Sequence, residues 1–135
     1  VQVRDLITGS CPQVPEDEPI DRVRSFLGGL SVDQVLVVTN QERYVGMIGF
    51  RELEAAGTGV SKQMTAKEIA NFEPIVLAAD TPLEQALSMV EYSTEEQLPV
   101  VEDLQTLKVV GLVRHSDLLI AYNKALLDER SVGHK

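Results

Sequence analysis

A single cysteine, Cys11, leaves the chain of 135 residues with no internal disulfide to form, and its surroundings mark an ordinary loop or core thiol. An intracellular setting is the natural expectation. Basic residues are scarce: 12 Lys and Arg stand against 21 Asp and Glu, a formal net charge of −9. Such a balance repels nucleic-acid phosphates and anionic lipid headgroups, which excludes nonspecific binding to either. Long hydrophobic runs are also missing. None approaches the roughly 18 residues of a membrane helix, and no charged-then-apolar leader opens the chain. Patterned sequence begins at once from Val1, which fits a domain within a longer protein. His115 and His134 lack a cysteine or carboxylate partner at metal-ligand spacing, so no metal site is expected. Ser10, Ser61, Ser93 and Ser116 lie outside any nucleophile-elbow context, and no glycine loop of the phosphate-cradling kind occurs, which argues against an enzyme. The acidic stretches 16–18 and 91–96 read as solvated loop and helix-end charge, with divalent-ion or partner contact as the alternative.

What the chain does have is itself, twice. Adding 63 to each position carries Val14 onto Leu77, Asp17 onto Asp80, Pro19 onto Pro82, Ile20 onto Leu83, Gln34 onto Gln97 and Val37-Val38 onto Val100-Val101. After a lengthening of two residues near Leu107-Lys108 the offset becomes 65, and Val45-Gly46 meets Val110-Gly111 while Glu52-Leu53 meets Asp117-Leu118. A repeat of about 60 residues exceeds the usual solenoid periods, so two copies of one small domain, 1–60 and 61–135, are expected to pack as a pseudo-symmetric pair. One copy alone would be marginal; the pair can bury roughly two-thirds of its unfolded surface.

Periodicity sets the elements within each copy. A short helix over 3–7, and again over 64–70, carries the matched pairs Arg4/Lys67 and Asp5/Glu68. Val14, and Ile75-Val76-Leu77 in the second copy, supply a short strand. Thr81-Pro82-Leu83-Glu84 reads as a capping box opening a helix. Ile20, Val23, Leu27 and Leu30, then Leu83, Ala86, Leu87 and Val90, form one apolar stripe per helix. Strands over 34–39 and 97–102 are apolar on both faces, as interior strands are, although Pro99 argues for a strand start or edge. Polar links lead into third strands over 44–48 and 108–113 as hairpins, and helices over 51–56 and 116–128 close the copies. Leu118, Leu119, Tyr122, Ala125 and Leu126 are assigned to the inner side of the last helix. The fold class is α/β, with the order β-α-β-β-α twice.

Two such copies, each ending in glycine, two apolar residues, three variable positions, an acidic residue and leucine, resemble a tandem pair of cystathionine-β-synthase (CBS) domains, or Bateman module. Gly46-Met47-Ile48-Gly49-Phe50-Arg51-Glu52-Leu53 and Gly111-Leu112-Val113-Arg114-His115-Ser116-Asp117-Leu118 carry the resemblance, with Leu98-Pro99-Val100-Val101-Glu102 in support. The run from Asp117 through Leu126 is similar to the closing helix of CBS pairs on the cytoplasmic end of prokaryotic chloride channels and transporters. The resemblance implies a regulatory, non-catalytic module at the cytoplasmic face of the membrane. Its implied ligand is an adenosine nucleotide (AMP, ADP or ATP) and not a cofactor; its implied partners are a second copy of itself and the transmembrane channel domain of the parent chain.

By that resemblance Asp117 takes the ribose hydroxyls and Arg114, three residues upstream, the phosphate. Residues 72–76, including Ile75 and Val76, and Leu98 with Pro99 form the adenine walls. A carboxylate suits a vicinal diol, and amides at a helix start favour a nearby phosphate. The first copy departs from the pattern: Gly49 offers only backbone where the family often has Ser or Thr, and Glu52 is longer than Asp, so its cleft is the poorer site. Glu52 and Asp117 both stand where a carboxylate also serves simply as a cap, and Arg114 where an arginine also faces solvent or an interface. Gly46 and Gly111 are expected to mark close backbone approach. Nucleotide sensing and ligand-free assembly are therefore both open readings, the first favoured by Asp117 and Arg114, the second by Gly49 and Glu52.

Overall fold

The computed structural model describes residues 1–8, 12–29, 34–57, 64–72 and 75–133, with side chains through Glu129. Ser10, Cys11, Leu30, Ser61, Glu73, Pro74 and His134 lie outside the described residues. A 3-10 helix (Val3–Leu6) leads into β1 (Gln13–Pro15), α1 (Ile20–Gly28), β2 (Gln34–Val38), β3 (Tyr44–Gly49) and α2 (Phe50–Ala56). The second copy follows with α3 (Ala66–Ile69), β4 (Leu77–Ala78), α4 (Leu83–Val90), β5 (Gln97–Val101), β6 (Val109–Arg114) and α5 (His115–Gly133). Each copy makes one mixed sheet, β1-β2-β3 and β4-β5-β6, parallel in its first pairing and antiparallel in its second.

The repeat reappears bond for bond. Val37 pairs with Gly46 and Val100 with Gly111, and a bulge follows at Val37/Val38 and at Val100/Val101. Glu42 and Leu107, equivalent under the offset of 65, both take positive φ, 63° and 55°, at the hairpin tips. The tips grip each other: Tyr44 N donates to Leu107 O at 2.8 Å and Val109 N to Glu42 O at 3.1 Å.

Apolar residues on both faces of β2 and β5 have two uses. Val35, Val37 and Ile48 pack under α1 with Ile20, Val23 and Leu27; Leu98, Val100 and Val113 pack under α4 with Leu83, Ala86 and Val90. The opposite faces, Leu36, Val38, Tyr44 and Met47 against Val101, Val109 and Leu112, meet as a third core between the copies. The leading segments are exchanged. Val3 is fully buried in the core of the second copy, Ala66 in that of the first, and Thr8 N bonds Leu112 O as Asn71 N bonds Met47 O. Each copy is therefore incomplete without its twin.

Four local readings differ from the structure. The box at Thr81 does not form: Pro82 is the N-cap of α4 without a side-chain cap, because Leu83 N already donates to Val1 O at 3.1 Å. Ile20 N is met in the same way by Met64 O, so the exchanged segments do the capping. Carboxylate boxes sit instead on the leading helices, where Gln2 N donates to Asp5 and Thr65 N to Glu68. Pro99 lies in a central strand, not at an edge. It fits because Leu36, its equivalent, spends its amide on Pro12 O, and in the second copy that bond is simply absent; β4 begins only at Leu77, and Ile75 and Val76 fall outside it. Finally, Leu119 and Leu126 are 49% and 37% exposed, while Leu118 is buried and Tyr122 and Ala125 are half-buried. The later turns of α5 run past the packed body.

Candidate functional site between the copies

Each sheet delivers its last strand straight into a helix: β3 into α2 at Gly49-Phe50, β6 into α5 at Arg114-His115. Glu52 and Asp117 therefore occupy the same place in the first turn of a helix, yet their situations differ. Glu52 folds back and accepts from Gly49 N at 2.7 Å, so it acts as the cap of its own helix. At α5 that duty falls on Glu96, in the link between α4 and β5. Its carbonyl accepts from His115 N at 2.7 Å, and its carboxylate accepts from Ser116 N at 3.4 Å and from the Ser116 hydroxyl in a short bond. The Ser116 hydroxyl first of all holds the Glu96 carboxyl below the usual glutamate range; desolvation opposes it, and the Ser116 amide, His115 and Arg114 add to the lowering. Among the described residues none donates a hydrogen bond to Asp117, which stands half-buried with its acceptor oxygens open.

The cleft at Glu52 is about 190 Å³ and is walled by Gln34, Met47, Gly49, Arg51 and Asn71 of the first-copy side and by Glu95 across from them. It adjoins a shallower hollow of about 350 Å³ where Ile75, Met89 and Tyr92 face Arg51. Tyr44 stands close behind. Its hydroxyl is buried with no hydrogen-bond partner among the described residues, and burial first, then the charge of Glu95, push its ionisation far up. Gly46 lets Asn71 and Phe72 lie this close: a Cβ there would sit 2.8 Å from the Ala70 Cβ and 3.0 Å from Asn71 O, so the expected close approach is present.

Arg114 ends β6 opposite Gln97 and is exposed, three residues from Asp117, and the two share one edge of the second copy. The residues assigned as adenine walls do not gather there. Ile75 lines the hollow on the Glu52 side, Phe72 is 63% exposed, Val76 packs against the core between the copies, and Leu98 is fully buried beneath α4. Pro99 is buried, paired with Leu112. The exchange of leading segments is the reason: residues after α3 run beside β3, whereas Thr8 runs beside β6. Missed by sequence reasoning were Gln34, Asn71, Glu95 and Glu96. Gln34 was within reach, since a glutamine opening an apolar strand recurs in register at Gln97; Glu95 and Glu96 carried no signal beyond a charge run. No group of His, Cys, Asp and Glu able to hold a metal occurs among the described residues.

The architecture is that of a tandem pair of one small domain, and comparison with known proteins agrees. The model of the CBS domain matches residues 3–57 and 66–124, and the chain belongs to that family. It is 25% identical over 119 residues to an inosine-5′-monophosphate dehydrogenase of Methanocaldococcus jannaschii, covering 88% of this chain and 22% of that protein. The chain thus spans about a fifth of the length of that curated relative. Among solved structures, the cytosolic domain of the Mg2+ channel MgtE in complex with ATP aligns with a TM-score of 0.72 at 24% identity, over 89% of this chain and 48% of that one. CBSX2 in complex with AMP aligns with a TM-score of 0.71 at 20% identity, over 92% and 97%.

Proposed function

We propose that this CBS pair is a non-catalytic regulatory module that binds an adenosine nucleotide, AMP, ADP or ATP, at the second-copy edge formed by Asp117 and Arg114. The observation that carries the reading is the contrast between the copies: Glu52 is spent on Gly49 N, while among the described residues none donates to Asp117, whose oxygens are left for a ribose diol, and the His115 and Ser116 amides go to Glu96. Arg114 supplies the cation for phosphate. Glu52, Ile75 and the cleft around them form the weaker second position. The ATP and AMP named with the MgtE and CBSX2 structures support this ligand class. Differential affinity for two orientations of the copies would bias whatever is attached. The attached part is a membrane transport protein, with the module at its cytoplasmic face: the closing helix points to a chloride channel or transporter, and the MgtE likeness to ion transport more broadly. No helix among the described residues is long and apolar enough to cross a membrane, so any spanning part lies elsewhere in the parent.

Calorimetry with AMP, ADP and ATP on the wild type and Asp117→Ala tests the reading. Asp117→Ala should bind about 1–3 kcal/mol more weakly, the worth of hydrogen bonds to a charged group, and melt as the wild type does. Absence of binding by any adenosine compound at millimolar concentration refutes it.

A second reading, assembly, is favoured by one observation: α5 exposes Leu119, Ile120, Leu126 and Leu127, the last 63% open, on its outer side. A homodimer joined there should sediment as such at micromolar concentration and dissociate in Leu127→Glu. A wild type that stays monomeric to hundreds of micromolar sinks it.

A further inference from the structure

We infer that Glu96 is an internal competitor for the ligand's phosphate, and that its displacement carries the state of the second-copy site to the cleft of the first copy. The inference rests on the proposed binding at Arg114 and Asp117 and adds how that site is regulated. Glu96 lies across the first turn of α5, a helix of 19 residues, and its carboxylate takes the Ser116 amide and hydroxyl. Those are the donors a phosphate beside Arg114 would recruit. Arg114 and His115 act electrostatically on the same carboxylate, so ligand and Glu96 seek one set of positive partners. Glu96 is exposed and held by few bonds, which makes it replaceable. Its neighbour Glu95 faces the other way, into the cleft beside Glu52 and Arg51, with its amide tied to the Ser93 hydroxyl. The residue that leaves α5 and the residue that lines the first cleft are thus adjacent in one short link, and moving one moves the other.

Pyrophosphate, which presents the phosphate chemistry without the nucleoside, is the probe, followed by amide NMR on the whole chain. In the wild type it should move the His115 and Ser116 amides together with that of Glu95, and the Glu96 carboxylate carbon should regain an ordinary glutamate titration. Glu96→Gln should bind pyrophosphate about two- to fivefold more tightly, the scale of an exposed charge contact, and bind adenosine as the wild type does. Equal or weaker pyrophosphate binding by Glu96→Gln overturns the inference, as does a wild type in which Ser116 moves while Glu96 keeps its lowered titration. Pyrophosphate that moves no amide of the first turn of α5 overturns it too. The two claims separate cleanly: competition with pyrophosphate but no binding of adenosine or AMP removes the nucleotide reading alone, and nucleotide binding without competition removes only the inference.

Discussion

Gly46→Ala adds one methyl group where the structure leaves no room for it. The new Cβ would stand 2.8 Å from the Ala70 Cβ, 3.0 Å from Asn71 O and 3.3 Å from Phe72 Cδ1. Carbon contacts settle near 3.5–4.0 Å, so residues 70–72 must retreat by roughly half an ångström or more. Neither a Cβ nor a main-chain oxygen can swing aside as a flexible side-chain end would. The retreat falls on the two bonds that dock this segment, Met47 N to Asn71 O at 3.0 Å and Asn71 N to Met47 O at 2.8 Å. Overpacking costs about 1–3 kcal/mol and a weakened bond about 1 kcal/mol, giving roughly 2–4 kcal/mol in all. For a chain of 135 residues that corresponds to a fall in Tm of about 10 °C. Gly28→Ala is the control. A Cβ at Gly28, the last residue of α1, meets no heavy atom within 4 Å, and the substitution should stabilise by about 0.5–1 kcal/mol through lower unfolded-state entropy. Urea unfolding of both variants beside the wild type decides the matter. A Gly46→Ala protein as stable as the wild type, or a Gly28→Ala protein as damaged as Gly46→Ala, refutes the claim that contact distance governs these glycines.

Further outcomes follow from the same geometry. Tyr44→Phe removes a buried hydroxyl that has no partner among the described residues and should stabilise by about 1 kcal/mol in urea unfolding, while a loss of similar size would mean the hydroxyl is satisfied. Glu52→Gln weakens the acceptor for Gly49 N and should cost about 0.5–1 kcal/mol without altering nucleotide affinity at Asp117, measured by calorimetry. The Glu96 carboxyl titrates lower folded than unfolded, so its contribution is present above the ordinary glutamate value of about 4.3 and is lost as pH falls through its folded value. Ser116→Ala should therefore be about 0.5 kcal/mol less stable than the wild type at pH 7, a figure already reduced for solvent screening, and the gap should close in acid. A gap that persists unchanged at pH 2 would assign the effect to something other than that carboxylate.

Much of the molecule was legible in residue order because it rests on periodicity, which the local chain carries. Alternation and three-to-four spacing placed α1, α4 and all but the shortest strands, and the offsets of 63 and 65 reproduce the pairing of Val37 with Gly46 and Val100 with Gly111. Apolar residues on both faces of β2 and β5 marked interior strands; that helices cover one face and the other copy's sheet the opposite one came from the packing. The Gly46 contact was foreseeable as well, since a strand glycine implies close approach. Thr81 and the walls of the site were not foreseeable in this way. Whether a hydroxyl caps a helix depends on what else reaches its amides, and at Leu83 that is Val1, far away in the chain. Which wall faces which carboxylate depends on the exchange of leading segments, since it sets Ile75 beside Arg51 and Thr8 beside Leu112. Residue order alone was enough for the two copies, their element order and the paired carboxylates Glu52 and Asp117. Three-dimensional packing was needed to show that Glu52 is spent on its own helix while Glu96, 21 residues upstream of Asp117, takes the first-turn amides of α5, because an amide donates to the acceptor nearest in space, whatever its distance along the chain.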